Sequence, residues 1–390
     1  MTEPHEVGAA LRASLPHALL DTLRAHLTTT YGATSVRLFL TDYGGTVLSP
    51  LDSPGYGERS LPIGGSAEGR ALGSQERREQ QAPRGEAVDH HHLPVTVRGD
   101  PIGVLTVRLP ADRSAPVVLD ELRQVAGQLG HEILVAERDT DVYQRARRVS
   151  RLTVAAEMQW QLLPARACSA AQYAVGAQLE PAYAVHGDNF DWASDADELT
   201  LTVTNGMGQG VEASLLTHLA VSALRNARRA GVSLADQAAL ADQAVWDHYR
   251  GASHVSTLLL RVELATGRTE IVDAGSPQMW RLRGKSVERI DLDRQLPLGM
   301  FEESHYAAES LVLEPGDRLL FVSDGVYEAP SPRGGQYAER ALARALHATR
   351  LLPAAMVPGA LLRDVAEYRD AETLDDALVL CCDWFGNDLR

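Results

Sequence analysis

Cysteine is scarce in this chain: Cys168, Cys381 and Cys382 are the only three in 390 residues, with neither the pairing nor the spacing of a disulfide framework or a zinc site. They read as small core residues of a protein kept in a reducing compartment. Long apolar runs are missing too, since no stretch approaches the roughly 20 residues that span a bilayer. The opening MTEPHEVGAA lacks the basic region and apolar run of a signal peptide. The expectation is a cytoplasmic protein with no membrane partner. Positive charge is also in deficit: 37 Lys and Arg face 52 Asp and Glu, a formal net charge of −15. Acidic residues spread along the chain argue against wrapping nucleic acid and fit basic or metal-bearing partners.

What is present suffices for two cores. A hydrophobic content of 45% over 390 residues predicts two domains joined by a linker. Leu15, Leu19, Leu20, Leu23 and Leu27 recur at helical spacing, and Val36, Leu38 and Leu40 then alternate as in a half-buried strand. Residues 49–87 are rich in Gly, Ser, Pro and charge and read as loops with at most short structure. The stretch LPVTVRGDPIGVLTVRL predicts a hairpin turning at Arg98-Gly99-Asp100. Leu122, Val125, Ala126, Leu129 and Ile133 restore the helical period. The helix is predicted to run on through Val149, Leu152, Ala156 and Leu163 until Pro164 ends it. His90, His91 and His92 read as a solvated turn in preference to metal ligands, because three consecutive residues cannot all face one way along a strand.

From Tyr173 onward alternating strands dominate, with turns at Thr266-Gly267 and Gly284. Helical stretches fall at about 211–230, 233–250, 337–349 and 353–369. Blocks of strands and blocks of helices predict stacked sheets faced by helices. Acidic residues cluster at predicted strand ends: Asp188 and Asp191 in HGDNFD, Asp324 in LLFVSDGVYEA, Asp375 and Asp376 in TLDDALVL. Taken singly, each is as readily a turn former. Together, carboxylates at strand ends can converge at one end of a sandwich, where hard oxygen donors suit Mg²⁺ or Mn²⁺. Between them lies LTLTVTNGMGQGVEA, a strand running into glycines and then a helix, whose first loop residue is the uncharged Asn205.

Two resemblances follow. LPVTVRGDPIGVLTVRL and the helix after it resemble a GAF domain, a small sensor module, over about residues 10–137. It implies either a module for a small-molecule ligand or a purely structural or dimerising domain. The ordered blocks AAEMQWQLLP, PAYAVHGDNFD, NGMGQGVEASLL, VDAGSPQMWRL, LPLG, LEPGDRLLFVSDGVYEA and LDDALVL resemble the metal-dependent PPM-type serine/threonine phosphatases, in their bacterial SpoIIE-type branch. The expected fold is α+β: a GAF-like domain over 1–137, a linker or switch helix over 138–164, and an α-β-β-α sandwich over 165–390.

By position, the second resemblance implies that Asp188 serves a second metal site and that Asn205 stands where a carboxylate bridges two metals. It implies that Gly206 contributes a carbonyl and that Asp324 and Asp375 are first-site carboxylates, with Asp191 and Asp376 in support. Two Mg²⁺ or Mn²⁺ are implied for active relatives, with one or none expected here, because an amide offers one neutral acceptor oxygen where a carboxylate offers two charged ones. Impaired or absent phosphatase activity is the expectation; a working Mg/Mn-dependent serine phosphatase is the alternative. Asn205 is open to three accounts: a natural pseudophosphatase, a deliberate replacement of Asp, or a position that tolerates Asn. Gln209, Ser276 and His186 also depart from the usual motif, without a ligand role. The implied partner is a STAS-domain anti-anti-sigma protein or an anti-sigma factor. The apolar periodicity of residues 119–163 fits either a homodimeric coiled coil or a helix packed on its own domain.

Overall fold

A computed structural model describes residues 4–52, 60–80, 88–180, 187–275, 277–331, 334–369 and 376–387. The chain forms two compact units, Met1–Arg151 and Leu152–Arg390.

The first unit holds helices α1 (Pro4–Ala13) and α2 (Leu19–Tyr31), strands β1 (Ser35–Thr41), β2 (Val47–Pro50) and β3 (Leu61–Pro62), and helix α3 (Ala67–Ser74). Strands β4 (Arg78–Gln80), β5 (Val88–Val97) and β6 (Asp100–Pro110) and helices α4 (Pro116–Ala136) and α5 (Val142–Ala146) complete it. The strands form one antiparallel sheet in the order β3-β2-β1-β6-β5-β4. The hairpin expected at Arg98-Gly99 is there: both residues have positive φ (51° and 93°), and Val97 pairs with Asp100. One face of the sheet packs on α1, α2 and α4 through Leu23, Leu27, Leu38, Leu93, Leu105, Leu122 and Leu129. Helix α3 covers part of the other face, where Leu72 meets Phe39, Leu48 and Val104.

Two expectations are corrected here. His90, His91 and His92 lie within strand β5, not in a solvated turn, and His91 and His92 are buried. Pairing to β4 and β6 satisfies their backbone, and hydroxyls take up their rings: His91 Nε2 lies 3.0 Å from Ser114 Oγ and His92 Nδ1 3.0 Å from Thr106 Oγ1. The stretch read as loops with at most short structure holds the two-turn α3, started by Ser66, whose hydroxyl accepts from the Gly69 N–H. The helix read as continuous to residue 163 is interrupted: α4 ends at Ala136, α5 is one turn, and the next helix begins after Thr153, whose hydroxyl caps it by accepting from Ala156 N–H. Leu119, Leu122, Val125, Ala126, Leu129 and Ile133, the apolar stripe that suggested a coiled coil, are spent on the unit's own core.

The second unit opens with α6 (Val154–Leu162), β7 (Ala167–Ser169), β8 (Tyr173–Glu180), β9 (Asn189–Ser194) and β10 (Glu198–Gly206). Then come α7 (Gly210–Arg229), α8 (Leu234–Tyr249), β11 (Val255–Glu263), β12 (Arg268–Ala274), β13 (Gln278–Arg283) and β14 (Ser286–Ile290). It closes with β15 (Glu309–Val312), β16 (Arg318–Val322), the single turn α9 (Asp324–Tyr327), α10 (Ala343–Ala348), α11 (Val357–Arg369) and β17 (Ala377–Trp384). Two antiparallel sheets result, β15-β12-β11-β10-β9 and β14-β13-β16-β17-β8-β7. On the first sheet, Val255, Leu259, Val272 and Ala274 pack under Leu216, Ala220 and Leu224 of α7 and Ala238, Ala241 and Val245 of α8. On the second, Leu320, Val322, Val379 and Cys381 pack under Leu361, Leu362 and Val365 of α11. The remaining sheet faces turn toward each other, with β17 against β9. The architecture is the α-β-β-α sandwich.

Candidate functional site

Strand alternation decides which side chains enter the space between the sheets. Gly206 pairs with Val255 and Thr202 with Leu259, so even-numbered positions of β10 face the helices. Leu199, Leu201, Val203 and Asn205 therefore point toward the other sheet, and Asn205 is the last of that row, half-buried where Gly206 turns into the glycine loop. On the other sheet, Val322 packs under the helices and Phe321 and Ser323 face inward, which delivers Asp324 to the same end of the sandwich.

Backbone contacts hold these strand ends together. Gly187 N–H and Asp188 N–H both donate to Asp376 Oδ2, at 2.7 and 3.1 Å, tying the β9 entrance on one sheet to the β17 entrance on the other. Gly206 N–H donates to Gly187 C=O at 3.2 Å, and Thr217 Oγ1 of α7 donates to the same carbonyl at 2.7 Å. Ser323 fixes the Asp324 turn to β17: its N–H donates to Leu378 C=O at 3.1 Å and its hydroxyl accepts from Leu378 N–H at 2.9 Å. Gly325 lies so close to Asp376 that a Cβ built on it would sit 1.8 Å from the Asp376 carbonyl oxygen. Asp324 Oδ1 accepts from Gly325 N–H at 2.9 Å.

Asp188, Asn205, Gly206, Asp324 and Asp376 are thus gathered at one end of the sandwich. Asp188 and Asp376 are buried, at 3% and 1% exposure. Asp375, His186 and Ser276 lie outside the described residues. Asp191 points the other way, at α7, where Arg225 Nη2 meets Oδ1 at 2.7 Å and Arg228 Nη1 meets Oδ2 at 3.0 Å. Gln209 is exposed at the N-cap of α7. Among the described residues no three His, Cys, Asp or Glu side chains form a group that could hold a metal ion.

Several residues that hold the site were not singled out from sequence. Gln159 of α6, fully buried, donates from Nε2 to the Asp188 carbonyl. Arg225 Nη2 also donates to Leu162 C=O at 2.7 Å, so α7 clamps the end of α6 and Asp191 at once. Thr217 carried a legible signal: it is a polar residue on the buried stripe Ala213, Leu216, Ala220, Leu224 of α7. Asp273 is a further buried carboxyl, on the inward face of β12 beside Leu258. Desolvation by burial pushes it up to about 6 against the favourable charge of Arg294, while its Oδ1 accepts from Gly275 N–H at 3.0 Å.

Residues 195–385 match the family model described as stage II sporulation protein E, SpoIIE. These residues carry a SpoIIE/PP2C-type phosphatase domain. The SpoIIE-type unit is 21% identical over 186 residues to the phosphoserine phosphatase RsbU of Bacillus subtilis strain 168, a match covering 47% of this chain and 56% of that protein. The chain therefore spans little more than half the length of that relative. The SiaA-PP2C domain of Pseudomonas aeruginosa is 22% identical, covers 59% of this chain and 93% of its own, and superposes with a TM-score of 0.51, which shows the fold. The PP2C phosphatase domain of SpoIIE from Bacillus subtilis, solved with a fragment of its regulatory domain, is 19% identical over 56% of this chain and 66% of its own, with a TM-score of 0.49. Phosphatases of this family in general depend on Mg or Mn.

Proposed function

We propose that this protein is a signalling regulator in which a SpoIIE-type phosphatase unit binds a phosphorylated STAS-domain partner, or the anti-sigma factor of such a pathway, with catalysis weakened or lost. The observation that carries the proposal is Asn205, an amide at the inward-facing end of β10 where the family resemblance calls for a metal-bridging carboxylate.

The donors gathered here are hard oxygens, the chemistry that suits Mg²⁺ or Mn²⁺: carboxylates of Asp188 and Asp324, the Asn205 amide oxygen and the Gly206 carbonyl. Asp375 would join them by resemblance. When bound, divalent metal lowers the pKa of water and offsets charge on a phosphoryl group. One Asp376 oxygen is committed to two backbone N–H groups, so Asp376 acts as a strut between the sheets. Asn205 supplies one neutral oxygen and presents N–H donors, which removes a negative charge and one bridging arm from the set. Neutralising a second cation beside the first then falls to fewer charges. The donor set fits one hard cation and falls short of two.

The first unit, GAF-like in its strand pattern, is the sensing module of this reading. The deciding experiment is phosphate release from a phosphoserine STAS protein in Mn²⁺, comparing the unaltered chain with Asn205→Asp. The expected rate for Asn205→Asp is at least 100-fold higher, about 3 kcal/mol of transition-state stabilisation. Equal rates would favour the alternative, a working Mg/Mn-dependent serine phosphatase.

A further inference from the structure

The face of the first unit's sheet that carries α3 changes character sharply along its strands. One row, Phe39 on β1, Val104 on β6 and Pro94 on β5, is apolar and lies with Leu72 of α3. Two residues further on, the same face presents Arg37, Thr106, His92 and Arg78 from four adjacent strands, in direct cross-strand register. The next row adds Arg108 and His90. The described side chains of these two rows contain no carboxylate. Glu68 of α3 reaches over them to lie 3.5 Å from His92 Nδ1, and Arg70 of the same helix adds another cation nearby.

Arg37 and Arg78 stand at the two ends of this row, three strands apart, with Thr106 and His92 as their direct cross-strand neighbours. Arg37 and Arg78 form no ion pair among the described residues. The Arg37 guanidinium lies 4.7 Å over the Phe39 ring, a contact that orients the cation and leaves its charge in place. Between them His92 is 2% exposed, kept below its ordinary pKa by desolvation, and its Nε2 has no hydrogen-bond partner among the described residues. Three inter-strand spacings separate Arg37 from Arg78, about 14 Å, and the two rows are about 7 Å apart. Those dimensions suit an extended small molecule with charge at more than one point.

We infer that the Arg37–Thr106–His92–Arg78 row is a binding site for a small polyanion bearing phosphate or carboxylate groups. The arginines would take oxyanions at its ends and the buried imidazole and Thr106 hydroxyl a polar group between them. This deepens the sensing role proposed for the first unit and rests on it only for its regulatory meaning, because binding is read without turnover.

The test is calorimetric titration and thermal shift on the full chain, dialysed free of metal, with pyrophosphate, ATP and citrate as probes. At least one probe is expected to bind saturably. Arg37→Gln/Arg78→Gln is expected to weaken it at least tenfold, while Arg123→Gln, an exposed change on α4, leaves it unaltered. Saturation by pyrophosphate or ATP alone identifies a phosphate ligand, and by citrate alone a carboxylate; both support the site. No saturation by any probe at millimolar concentration, or undiminished binding in the double variant, overturns it. Undiminished binding would move the anion to another part of the chain and leave the phosphatase reading standing. Should the double variant fail to fold, Arg78→Gln alone, exposed on the short edge strand β4, carries the same comparison.

Discussion

Asn205 and Asp273 illustrate two ways in which one side chain sets the chemistry of the sandwich. Asn205 ends the inward row Leu199, Leu201, Val203, so its amide is directed where a bridging charge is called for by resemblance. Asp273 sits one pleat deeper, level with Val203 and Leu258, with a carboxyl whose proton is held up to about 6 by burial. Its unfolded value is near 3.8, so the folded state binds the proton more tightly, and the contribution of this group to stability is greatest below pH 4. That contribution is lost as pH rises from about 4 to about 6, by about 3 kcal/mol on that difference, and the loss is complete above pH 6. Asp273→Asn keeps an oxygen for Gly275 N–H and removes the charge. It is expected to raise the urea midpoint at pH 8 and to leave it near the wild-type value at pH 4. A midpoint change of equal size at both pH values would contradict the burial account.

Among elements, α6 and α7 do most to hold the strand ends in place. Helix α7 follows the glycine loop because Gly210, at φ 66°, turns the chain and Gln209 takes the extended N-cap conformation. From α7, Thr217 reaches the Gly187 carbonyl, and Arg225 holds both Asp191 and the end of α6. Asp191 is nearly buried, with side-chain exposure of 5%, so removing a partner leaves charge that one remaining arginine must balance. Arg225→Met is expected to destabilise the chain by about 2 kcal/mol, read as a lower urea midpoint, with the apolar stem packing retained. No change would mean that Arg228 alone suffices. The helices α7, α8 and α11 were legible from their 3.6-residue period because each buries one apolar stripe. The break between α4 and α6 was not, since the polar caps that restart the helix, such as Thr153, sit inside an otherwise apolar rhythm.

For the whole molecule, the measurable consequence is metal stoichiometry. Fewer than two ions of Mn²⁺ per chain are expected at micromolar metal, with Asn205→Asp gaining one, as counted by elemental analysis after dialysis. Two ions bound to the unaltered chain would contradict the charge argument. No described helix is long and apolar enough to cross a membrane. The two units each have their own core, and the division between Arg151 and Leu152 falls inside the stretch expected as a linker helix. Of the site, the strand-end positions of Asp188, Asn205 and Asp324 were legible because turn-forming carboxylates and glycines interrupt clear alternation there. The separate duties of Asp376 and Asp191 were not: one accepts backbone N–H groups and the other pairs with arginines, and nothing in their spacing distinguishes a strut from a ligand.

Local pattern therefore determined what local physics controls. Period two and period 3.6 fixed most strands and helices, positive-φ residues fixed the hairpin at Arg98-Gly99, and Asn at position 205 settled a residue's charge irrespective of fold. Tertiary structure decided what depends on partners distant in sequence. It buried His91 and His92 in a strand by offering hydroxyls from Ser114 and Thr106, and it turned the α4 stripe into the unit's own core. It also aligned arginines from separate strands on one face, because strand register is a pairing property that neither strand encodes alone.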